Sequence, residues 1–578
     1  MEIDKEKLKY FSLEYIDTIL NKNIKNHNEL KKKLAEKYKI GYIPKNNIIL
    51  SYCDVKKIND VIKILNIKPT RKLSGVTVVA LFAKPHFCPH GKCLYCPGGP
   101  NSEFGDTPQS YTGKEPAAMR AIYNNYDPYL QVFNRLEHYV INGHLPDKIE
   151  AIVMGGTFPS LDKEYRDNFI NFMYKAFNDF GDLFIKVSED GFKYIDYKFF
   201  NEFFELPYGF EDKNRKDKIQ NKILEFKNKN IKNYSYEIKR NEKSKVRCIG
   251  LTIETRPDWG LEEHCNEMLE YGTTRFELGV QSLYNNVLKK NNRGHSLEDT
   301  KKSFQIMKDF CFKINAHMML GLYGSNDKKD LESIKKLFEE EYYRPDMIKF
   351  YPCLLIKGTP LYKLYERGLY KPIDTKKASE IIGESFKYIP KYVRVMRIQR
   401  DIPTTLVSDG IKNSNLRQFV ENYMKKKGIK SKDIRAREVG FRLREGYKLG
   451  KFEIKVLTYK SSGGKEYFIS IEDENETLLG FVRLRVPSKY GYRKEIIEKT
   501  GLIRELHVYG KTIPVGIKGY KGFQHKGWGK KLMKKAEEIT KKNGCRKIVV
   551  ISGVGVREYY KKLGYYQDGP YMSKKLSF

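Results

Sequence analysis

Short apolar segments recur through the first two-thirds of the chain and alternate with stretches long enough to form helices. This alternation is typical of a parallel sheet or barrel, because consecutive parallel strands need a long crossover connection that is usually a helix. The pattern therefore predicts an α/β fold. The predicted strands are residues 76–82, 149–154, 248–252, 275–280, 314–319, 348–351 and 393–398.

Different patterns flank these strands. Ile16, Ile19 and Leu20 lie at helical spacing in a Lys-rich stretch, which predicts a small basic helical domain at the N-terminus. After Pro403 the chain becomes polar, and an α+β pattern begins near Phe441. The predicted domains are a helical region over 1–70, a barrel domain over 71–405, a linker over 406–440 and an α+β domain over 441–578.

The charge balance indicates a polyanionic partner. Lys and Arg number 108 against 72 Asp and Glu, so the formal net charge is +36. Solubility does not require this excess, which makes nucleic acid the expected partner; biased composition or heat adaptation is the alternative. Residues 211–245 form a Lys-rich expansion that is either a solvated insertion or an RNA-facing one.

Cysteine usage and hydropathy predict a cytoplasmic protein. Apart from one tight cluster, the nine cysteines are scattered, unlike the regular framework of a secreted disulfide protein. No apolar run approaches the roughly 20 residues that a membrane span needs. We therefore expect a reducing environment and no membrane-embedded segment.

Cys88, Cys93 and Cys96 lie within nine residues, separated by four residues and then by two. Three thiolates can hold an iron–sulfur cluster and leave one iron open to an exogenous ligand such as S-adenosylmethionine (SAM). Electron transfer into its sulfonium then yields a 5′-deoxyadenosyl radical. The alternative is a structural zinc site completed by His86 or His90.

Polar residues at the ends of the predicted strands support the cluster interpretation. The cysteines follow the first strand, and catalytic groups of parallel barrels gather at the carboxyl ends of strands. Two glycines after the second strand would let the methionine part of SAM approach the backbone closely. For Glu254 and Arg256, salt-bridge roles are the alternative. The predicted cofactor rim consists of Gly155, Gly156, Thr157, Glu254, Arg256 and Gln281.

The C-terminal region combines a strand near 505–508, a Gln-x-x-Gly-x-Gly turn from Gln524, a helix, a strand at 548–551 and a tyrosine-bearing helix. Backbone N–H groups exposed at a helix start suit a pyrophosphate, although an ordinary loop-to-helix turn is the alternative. The order of these elements resembles the GCN5-related N-acetyltransferase (GNAT) fold.

That resemblance implies acetyl-CoA binding, with the loop on the pyrophosphate, the preceding strand along the pantetheine arm and a tyrosine near the thioester sulfur. Tyr560 would be this tyrosine; Tyr559 could exchange roles with it, or one of the two only packs. The other implied contacts are Glu505, Leu506, His507, Val508, Gln524, Gly527, Trp528, Gly529 and Lys530.

Motifs from both halves occur in a fixed order, at residues 88–96, 109–116, 154–158, 252–258 and 569–572. Over about residues 70–578, the chain resembles the catalytic subunit of Elongator, in a single-chain form. The resemblance implies a radical SAM partial (β/α) barrel, a GNAT domain and a [4Fe-4S] cluster.

The same resemblance implies tRNA carboxymethyluridine synthase activity, an acyltransferase-class reaction at C5 of the wobble uridine (U34) of tRNA. The adenosyl radical would take a hydrogen from the acetyl methyl group of acetyl-CoA, and the carbon radical would add to the uracil ring. Lys148 is implied as a further acetyl-CoA contact. His507 is a candidate for assisting thioester hydrolysis.

Two departures from the family pattern matter. The gap between Cys88 and Cys93 is shorter than in eukaryotic Elongator subunits and longer than the three-residue gap commonest among radical enzymes. The segment before residues 435–440 lacks the cysteines that many relatives carry, so we predict no zinc site there.

The expected partners are the anticodon stem-loop of tRNA, acetyl-CoA and a reductant for the cluster, with a homodimer as one possible assembly. Binding through phosphate neutralisation would weaken steeply with salt, and we expect the RNA surface on residues 1–70 and 213–239. One rival function is a protein lysine acetyltransferase with a structural iron–sulfur domain. The other is a non-catalytic tRNA-binding protein.

Overall fold

A computed structural model describes residues 5–24, 26–54, 56–65, 75–189, 191–206, 213–509 and 527–577. The chain divides into two compact units. Unit 1 comprises Met1–Val79, Asp127–Ile149 and Asn168–Cys248, and unit 2 comprises Ala80–Tyr126, Glu150–Asp167 and Ile249–Phe578. Within the described ranges, no helix is both long enough and apolar enough to cross a membrane.

Helices occur in both units. Those described are α1 (Lys5–Asn21), α2 (His27–Lys37), α3 (Asn46–Leu50), α4 (Ile58–Leu65), α5 (Pro116–Tyr123), α6 (Pro128–Ile141), α7 (Lys163–Phe184), α8 (Tyr197–Phe203), α9 (Lys213–Asn228), α10 (Tyr234–Asn241), α11 (Glu262–Glu270), α12 (Asn285–Lys290), α13 (Leu297–Asp309), α14 (Asp327–Glu339), α15 (Pro360–Glu366), α16 (Thr375–Ser385), α17 (Leu416–Lys426), α18 (Ile434–Arg437), α19 (Val439–Arg444), α20 (Trp528–Lys542) and α21 (Arg557–Lys561).

The strands of the described residues form two large sheets and three two-stranded sheets. Those described are β1 (Thr77–Phe82), β2 (Gly99–Ser102), β3 (Gly105–Thr107), β4 (Lys148–Met154), β5 (Ile185–Val187), β6 (Lys193–Ile195), β7 (Arg247–Thr255), β8 (Thr273–Gln281), β9 (Lys313–Leu320), β10 (Met347–Pro352), β11 (Leu355–Ile356), β12 (Arg394–Ile398), β13 (Val407–Asp409), β14 (Glu453–Ser461), β15 (Gly464–Glu472), β16 (Leu478–Val486), β17 (Thr500–Val508), β18 (Lys547–Val550), β19 (Tyr566–Asp568) and β20 (Tyr571–Lys575).

The first large sheet has the order β1-β4-β7-β8-β9-β10-β12, which follows the chain. Neighbouring strands from β7 to β12 pair in parallel. Each predicted apolar segment overlaps one of these strands, because strands buried on both faces are nearly continuous runs of apolar residues. The carboxyl ends of the parallel strands lie at one edge, where we expected the cofactor rim.

The second large sheet has the order β14-β15-β16-β17-β18-β20-β19. Its first four strands are antiparallel, whereas β17 and β18 are parallel neighbours. Helix α20 buries Leu532, Met533, Ala536 and Ile539 on one face, as their helical spacing predicted. This is the predicted α+β domain.

Unit 1 is mainly helical, and its N-terminal helices share a core with later segments. Asn47 on α3 donates through Nδ2 to Oδ1 of Asn201 on α8 at 2.9 Å. Lys31 is buried and donates to Asn46 Oδ1 at 2.5 Å, and its burial lowers its pKa to about 8. Lys31 therefore belongs to the core, although it lies in the Lys-rich stretch that we predicted to form a basic domain.

Residues 406–440, which we predicted to be a linker, are folded. Helix α17 packs against α16, and Asp433 caps α18. Arg437 is buried and bridges two elements, with Nη1 2.9 Å from Glu472 Oε1 and Nη2 donating to the carbonyl of Lys391 at 2.8 Å. The segment thus holds the two sheets of unit 2 together, while the four domain boundaries stay a prediction.

Buried ion pairs also join these two sheets. Asp346, just before β10, is fully buried; Arg504 donates to its Oδ2 at 2.8 Å, and Arg483 Nη1 lies 3.5 Å from its Oδ1. Arg485 Nε donates to Asp309 Oδ1 at 2.7 Å. Burial alone would raise the pKa of Asp346, but the guanidinium groups of Arg504 and Arg483 hold this pKa well below its usual range. The interface therefore depends on compensated charge.

Candidate active site

The cysteine loop follows β1 and lines a cavity at the carboxyl edge of the first sheet. Cys93 Sγ accepts a hydrogen bond from Arg293 Nη1 at 3.3 Å. Cys96 Sγ accepts the backbone N–H of Ser110 at 3.1 Å. Cys88 lines the same cavity, so the fold brings the three predicted thiols together.

The thiols lie in an environment that disfavours their charged form. Burial raises the pKa of Cys88 to about 11 and also raises that of Cys96, so thiolates here need a bound cation. In the described part of the chain, no three His, Cys, Asp or Glu side chains are close enough to hold one metal ion. His90 Nε2 lies 3.1 Å from Cys93 Sγ.

Two glycines form one wall beside Cys88. Gly155 and Gly156 have φ of 125° and 99°, which side-chain-bearing residues rarely adopt. A Cβ on Gly156 would lie 3.1 Å from Gln109 Cβ and 3.7 Å from Cys88 Sγ. Thr157 Oγ1 lies 3.9 Å from the same sulfur. The backbone therefore leaves space for a ligand next to the thiol.

Several buried polar atoms at this wall have no hydrogen-bond partner within the described residues: Gln281 Oε1, Arg256 Nη1 and Arg293 Nε. Arg256 does form the salt bridge considered from the sequence, because its Nε donates to Asp258 Oδ1 at 2.9 Å. Unsatisfied buried groups are rare and often mark a ligand. These atoms fit the carboxylate, amino and ribose groups of SAM.

Charged side chains from three neighbouring strands form the inner wall of the cavity. Glu277 Oε2 lies 2.7 Å from Lys349 Nζ, accepts from Asn315 Nδ2 at 3.0 Å and contacts His317. His317 and Lys349 are adjacent in the register of β9 and β10. Burial would raise the pKa of Glu277, but Lys349 and His317 hold it well below its usual range.

Glu254 lies on this wall beside aromatic rings. It accepts a hydrogen bond from the Tyr111 hydroxyl at 3.1 Å, and burial raises its pKa to about 6 although Lys349 opposes the shift. The Arg400 guanidinium lies over the rings of Tyr111 and Tyr351, 5.2 and 5.9 Å from their centroids. Glu254 therefore faces a polar, aromatic part of the cavity rather than the cysteines.

In the second sheet, β17 and β18 separate. They pair only over residues 500–503 and 547–550. Beyond this point β17 continues to Val508, paired with β16 on its other side. Residues 504–508 consequently have no strand partner on the β18 side within the described chain, so their backbone groups can bind an extended ligand. Glu505 to Val508, the predicted pantetheine contacts, lie along this edge.

Helix α20 begins close to this edge. Gly527 is its N-cap, with φ of 73°, and Trp528, Gly529 and Lys530 form the first turn, whose N–H groups have no intrahelical acceptor. Gln524 lies outside the described residues. A Cβ on Gly529 would lie 3.9 Å from Cγ2 of Val508, which places the helix start next to the free edge of β17.

The two candidate tyrosines differ in their surroundings. Tyr559 is 38% exposed, and a Cβ on Gly529 would lie 2.6 Å from its hydroxyl, so its phenol borders the start of α20. Tyr560 is buried and packs against Tyr565 with ring centroids 6.0 Å apart. Burial raises the pKa of both hydroxyls. Either phenol is therefore neutral at physiological pH.

Family models match three stretches of the chain: the Radical SAM superfamily at residues 216–337, the Radical SAM C-terminal domain at 345–426 and the acetyltransferase (GNAT) family at 441–565. A curated relative from Methanocaldococcus infernus, named tRNA uridine(34) acetyltransferase, is 44% identical over 95% of both chains. Elongator complex protein 3 of Homo sapiens is 39% identical over 95% of this chain and 93% of its own. The chain belongs to the Elongator complex protein 3 family.

A solved structure agrees with this membership. The archaeal Methanocaldococcus infernus Elp3 with its first 46 residues deleted aligns with a TM-score of 0.69 and 38% identity, covering 87% of this chain and all of that one. The predicted resemblance and fold class are thereby confirmed. The chain combines radical SAM and GNAT domains, which generally use SAM, an iron–sulfur cluster and acetyl-CoA.

Within this family fold, the sequence reasoning did not identify several cavity residues. Glu277, His317 and Lys349 are charged or titratable positions inside otherwise apolar strands. His317 pairs with Lys349, and Glu277 pairs with Asn315, two residues before His317, so strand alternation could have indicated an inward-facing set. Arg293 follows helix α12 and Arg400 follows strand β12, both in loops, where the sequence alone does not show which way a side chain points. Lys148, the implied acetyl-CoA contact, is half-buried at the start of β4 in unit 1.

Glu254 makes the stability of the protein depend on pH. Its raised pKa means that its contribution is fully present below its ordinary value of 4.5 and is lost as the pH rises through about 6. Relative to Glu254→Gln, we expect wild type to lose about 2 kcal/mol of unfolding free energy between acidic and neutral pH. Urea unfolding across this range measures it, and parallel curves for the two proteins would contradict it.

Proposed function

We propose that this protein is a tRNA carboxymethyluridine synthase, which places an acetyl-CoA-derived carboxymethyl group on C5 of U34. The main observation in favour of this function is that one compact unit contains both a three-thiol cavity and a free strand edge beside a helix N-terminus. A lysine acetyltransferase would have no use for the partner-free polar atoms around the thiols. The names of the relatives support tRNA uridine(34) as the substrate.

For the radical half, we propose that Cys88, Cys93 and Cys96 hold a [4Fe-4S] cluster. When bound, the cluster with SAM supplies a 5′-deoxyadenosyl radical. Gly155, Gly156 and Thr157 leave the backbone open to the cofactor. Arg256 and Arg293 present buried N–H groups to its carboxylate, and Gln281 presents its amide oxygen to amino or hydroxyl hydrogens. An external one-electron donor is required.

For the acetyl-CoA half, the first turn of α20 would bind the pyrophosphate, and the β17 edge would pair with the pantetheine amides. Tyr559 and Tyr560 are the candidates near the thioester, with Tyr559 more accessible. His507 stacks on Phe481 at 5.9 Å, and burial lowers its pKa, so its neutral imidazole could accept a proton from water during thioester hydrolysis. Lys148 stays a proposed contact.

The tRNA surface is proposed on unit 1, where Lys229, Lys232 and Lys239 are exposed around the connection from α9 to α10. If each neutralises a phosphate, replacing all three by alanine lowers the slope of log Kd against log salt by roughly 2. Electrophoretic or anisotropy titrations at several salt concentrations measure this. A triple replacement of exposed Lys328, Lys371 and Lys376 is the control; an unchanged slope in the first variant would place the surface elsewhere.

The function is tested with anaerobically reconstituted protein incubated with tRNA, acetyl-CoA, SAM and a reductant. We expect 5′-deoxyadenosine and, after nuclease digestion, carboxymethyluridine by mass analysis. Acetyl-lysine on added protein without either product would favour the acetyltransferase alternative. Tight tRNA binding with no turnover at all would favour the non-catalytic one. A cytoplasmic location and a homodimer stay predictions.

A further inference from the structure

The cavity lining extends beyond the residues that we predict to contact the cofactor. The cysteines, Gly156, Arg256 and Gln281 account for one part of the lining, whereas the inner wall described above accounts for the other. Glu254 and Arg256 are two residues apart, yet their partners do not overlap. Glu254 accepts a hydrogen bond from the Tyr111 hydroxyl, whereas Arg256 donates a hydrogen bond to the Asp258 carboxylate. The two parts of the cavity therefore offer separate sets of polar groups.

The buried charged groups of the inner wall are energetically unfavourable unless a ligand binds to them. Barrel interiors are normally filled by branched apolar side chains. Here Glu254 and Glu277 are like charges in one buried region, and Glu277 already has Lys349, His317 and Asn315 as partners. Among the residues that the structure describes, Glu254 has a single hydrogen-bond partner, the Tyr111 hydroxyl. Burying such groups is unfavourable, so packing alone gives no reason for them.

The donor and acceptor pattern of this wall matches one nucleobase. Uracil presents an acceptor, a donor and an acceptor along its pairing edge: O4, N3–H and O2. A carboxylate only accepts, and Lys and Arg only donate. The Glu254 carboxylate shares the cavity lining with the cations Lys349 and Arg400, a set of one acceptor and two donors that complements this edge. Cytosine instead presents an amino donor and an unprotonated N3. Tyr111 and Tyr351 line the same part of the cavity, with the Arg400 guanidinium over both rings.

We propose that Glu254, Lys349 and Arg400 form a uracil-reading subsite that receives the wobble base after it leaves its stack. This inference rests on the proposed function and assigns its substrate specificity to named residues. Enzymes that modify a base read the extruded base through its pairing edge and stack it on aromatic side chains. Tyr111 is a positioning residue, because its hydroxyl orients the Glu254 carboxylate.

The test compares two anticodon stem-loop RNAs that differ only in uridine or cytidine at the wobble position. Their dissociation constants are measured by fluorescence anisotropy on the reconstituted protein with SAM, without reductant or acetyl-CoA, so that no turnover occurs. We expect wild type to bind the uridine loop about tenfold more tightly, since one well-made base contact discriminates by that order. Phosphate contacts are the same for both RNAs and cancel in the ratio.

Two isosteric variants examine the wall. Glu254→Gln can donate to cytosine N3, so its uridine preference should fall to within about twofold while cytidine-loop affinity holds or improves. Lys349→Met should lower uridine-loop affinity without affecting the cytidine loop. Glu366→Gln and Lys371→Met, exposed on the same unit, are the matched controls. Tyr111→Phe should lower the uridine preference by an intermediate amount. It serves as the test of the subsite if Lys349→Met does not fold.

SAM affinity, measured in parallel, separates this subsite from a cofactor contact. It should be unchanged in Glu254→Gln; a fall in SAM affinity with an intact uridine preference overturns the inference. Equal binding of both loops by wild type that still makes carboxymethyluridine overturns the subsite and leaves the proposed function standing. A uridine preference that depends on Glu254, in a protein that makes no product, rejects the function and keeps the subsite.

Discussion

Replacing Cys93 by alanine abolishes both 5′-deoxyadenosine and carboxymethyluridine, to below detection. The remaining two thiolates cannot hold the cluster, and Arg293 loses the sulfur that accepts its hydrogen bond at 3.3 Å. Affinity for a stem-loop RNA stays within about twofold, because phosphate contacts dominate it. Iron analysis, the cluster absorption band and nucleoside mass analysis measure the outcome.

Cys265→Ala is the matched control, since this buried cysteine lies on α11 and away from the cavity lining. It should retain iron and product formation. If the Cys93 variant keeps full activity with zinc in place of iron, the radical proposal is wrong and the structural zinc alternative is restored.

Replacing Asp346 by alanine destabilises unit 2 by about 3–5 kcal/mol, because it leaves the buried guanidinium groups of Arg504 and Arg483 without their shared carboxylate. The loss is also pH-independent near neutrality, since the pKa of Asp346 is held far below that range. Urea midpoints followed by tryptophan fluorescence and circular dichroism measure it.

The comparison variant is Asp327→Ala, which removes an exposed carboxylate 2.7 Å from Lys377 Nζ. Its unfolding midpoint should not change, because solvent screens such pairs. Equal midpoints for Asp346→Ala and wild type would mean that the two sheets of unit 2 are held together by other contacts.

Sequence patterns predicted the architecture because strand burial leaves a direct periodic trace. The seven apolar segments locate the first sheet, and the Gly-rich helix start at Gly527 locates the second ligand region. They did not show which way individual side chains point. Nothing in the sequence says that Glu254 faces Tyr111, since this contact joins residues 143 positions apart in the chain. Arg256 pairs locally with Asp258, but the sequence does not show that the side chains of Glu254 and Arg256 have different partners.

The interpretation of charge was limited for the same reason. Lys31 and Arg215 lie in basic stretches, yet both are buried, the first against Asn46 and the second 3.1 Å from Glu137. A Lys-rich run therefore overstates the surface available to RNA. Only the fold separates cations that complete a core from those that can meet a phosphate.

The composite core of unit 1 has a consequence for biosynthesis. Asn47 bonds to a partner 154 residues later in the chain. At ordinary translation rates the first helices wait roughly 10–30 s on the ribosome before that partner is made. The first four helices can pack against one another during this delay, but the surface of α3 that contacts α6 and α8 stays uncovered. Chaperone dependence of newly made chains should therefore be concentrated in their N-terminal segment.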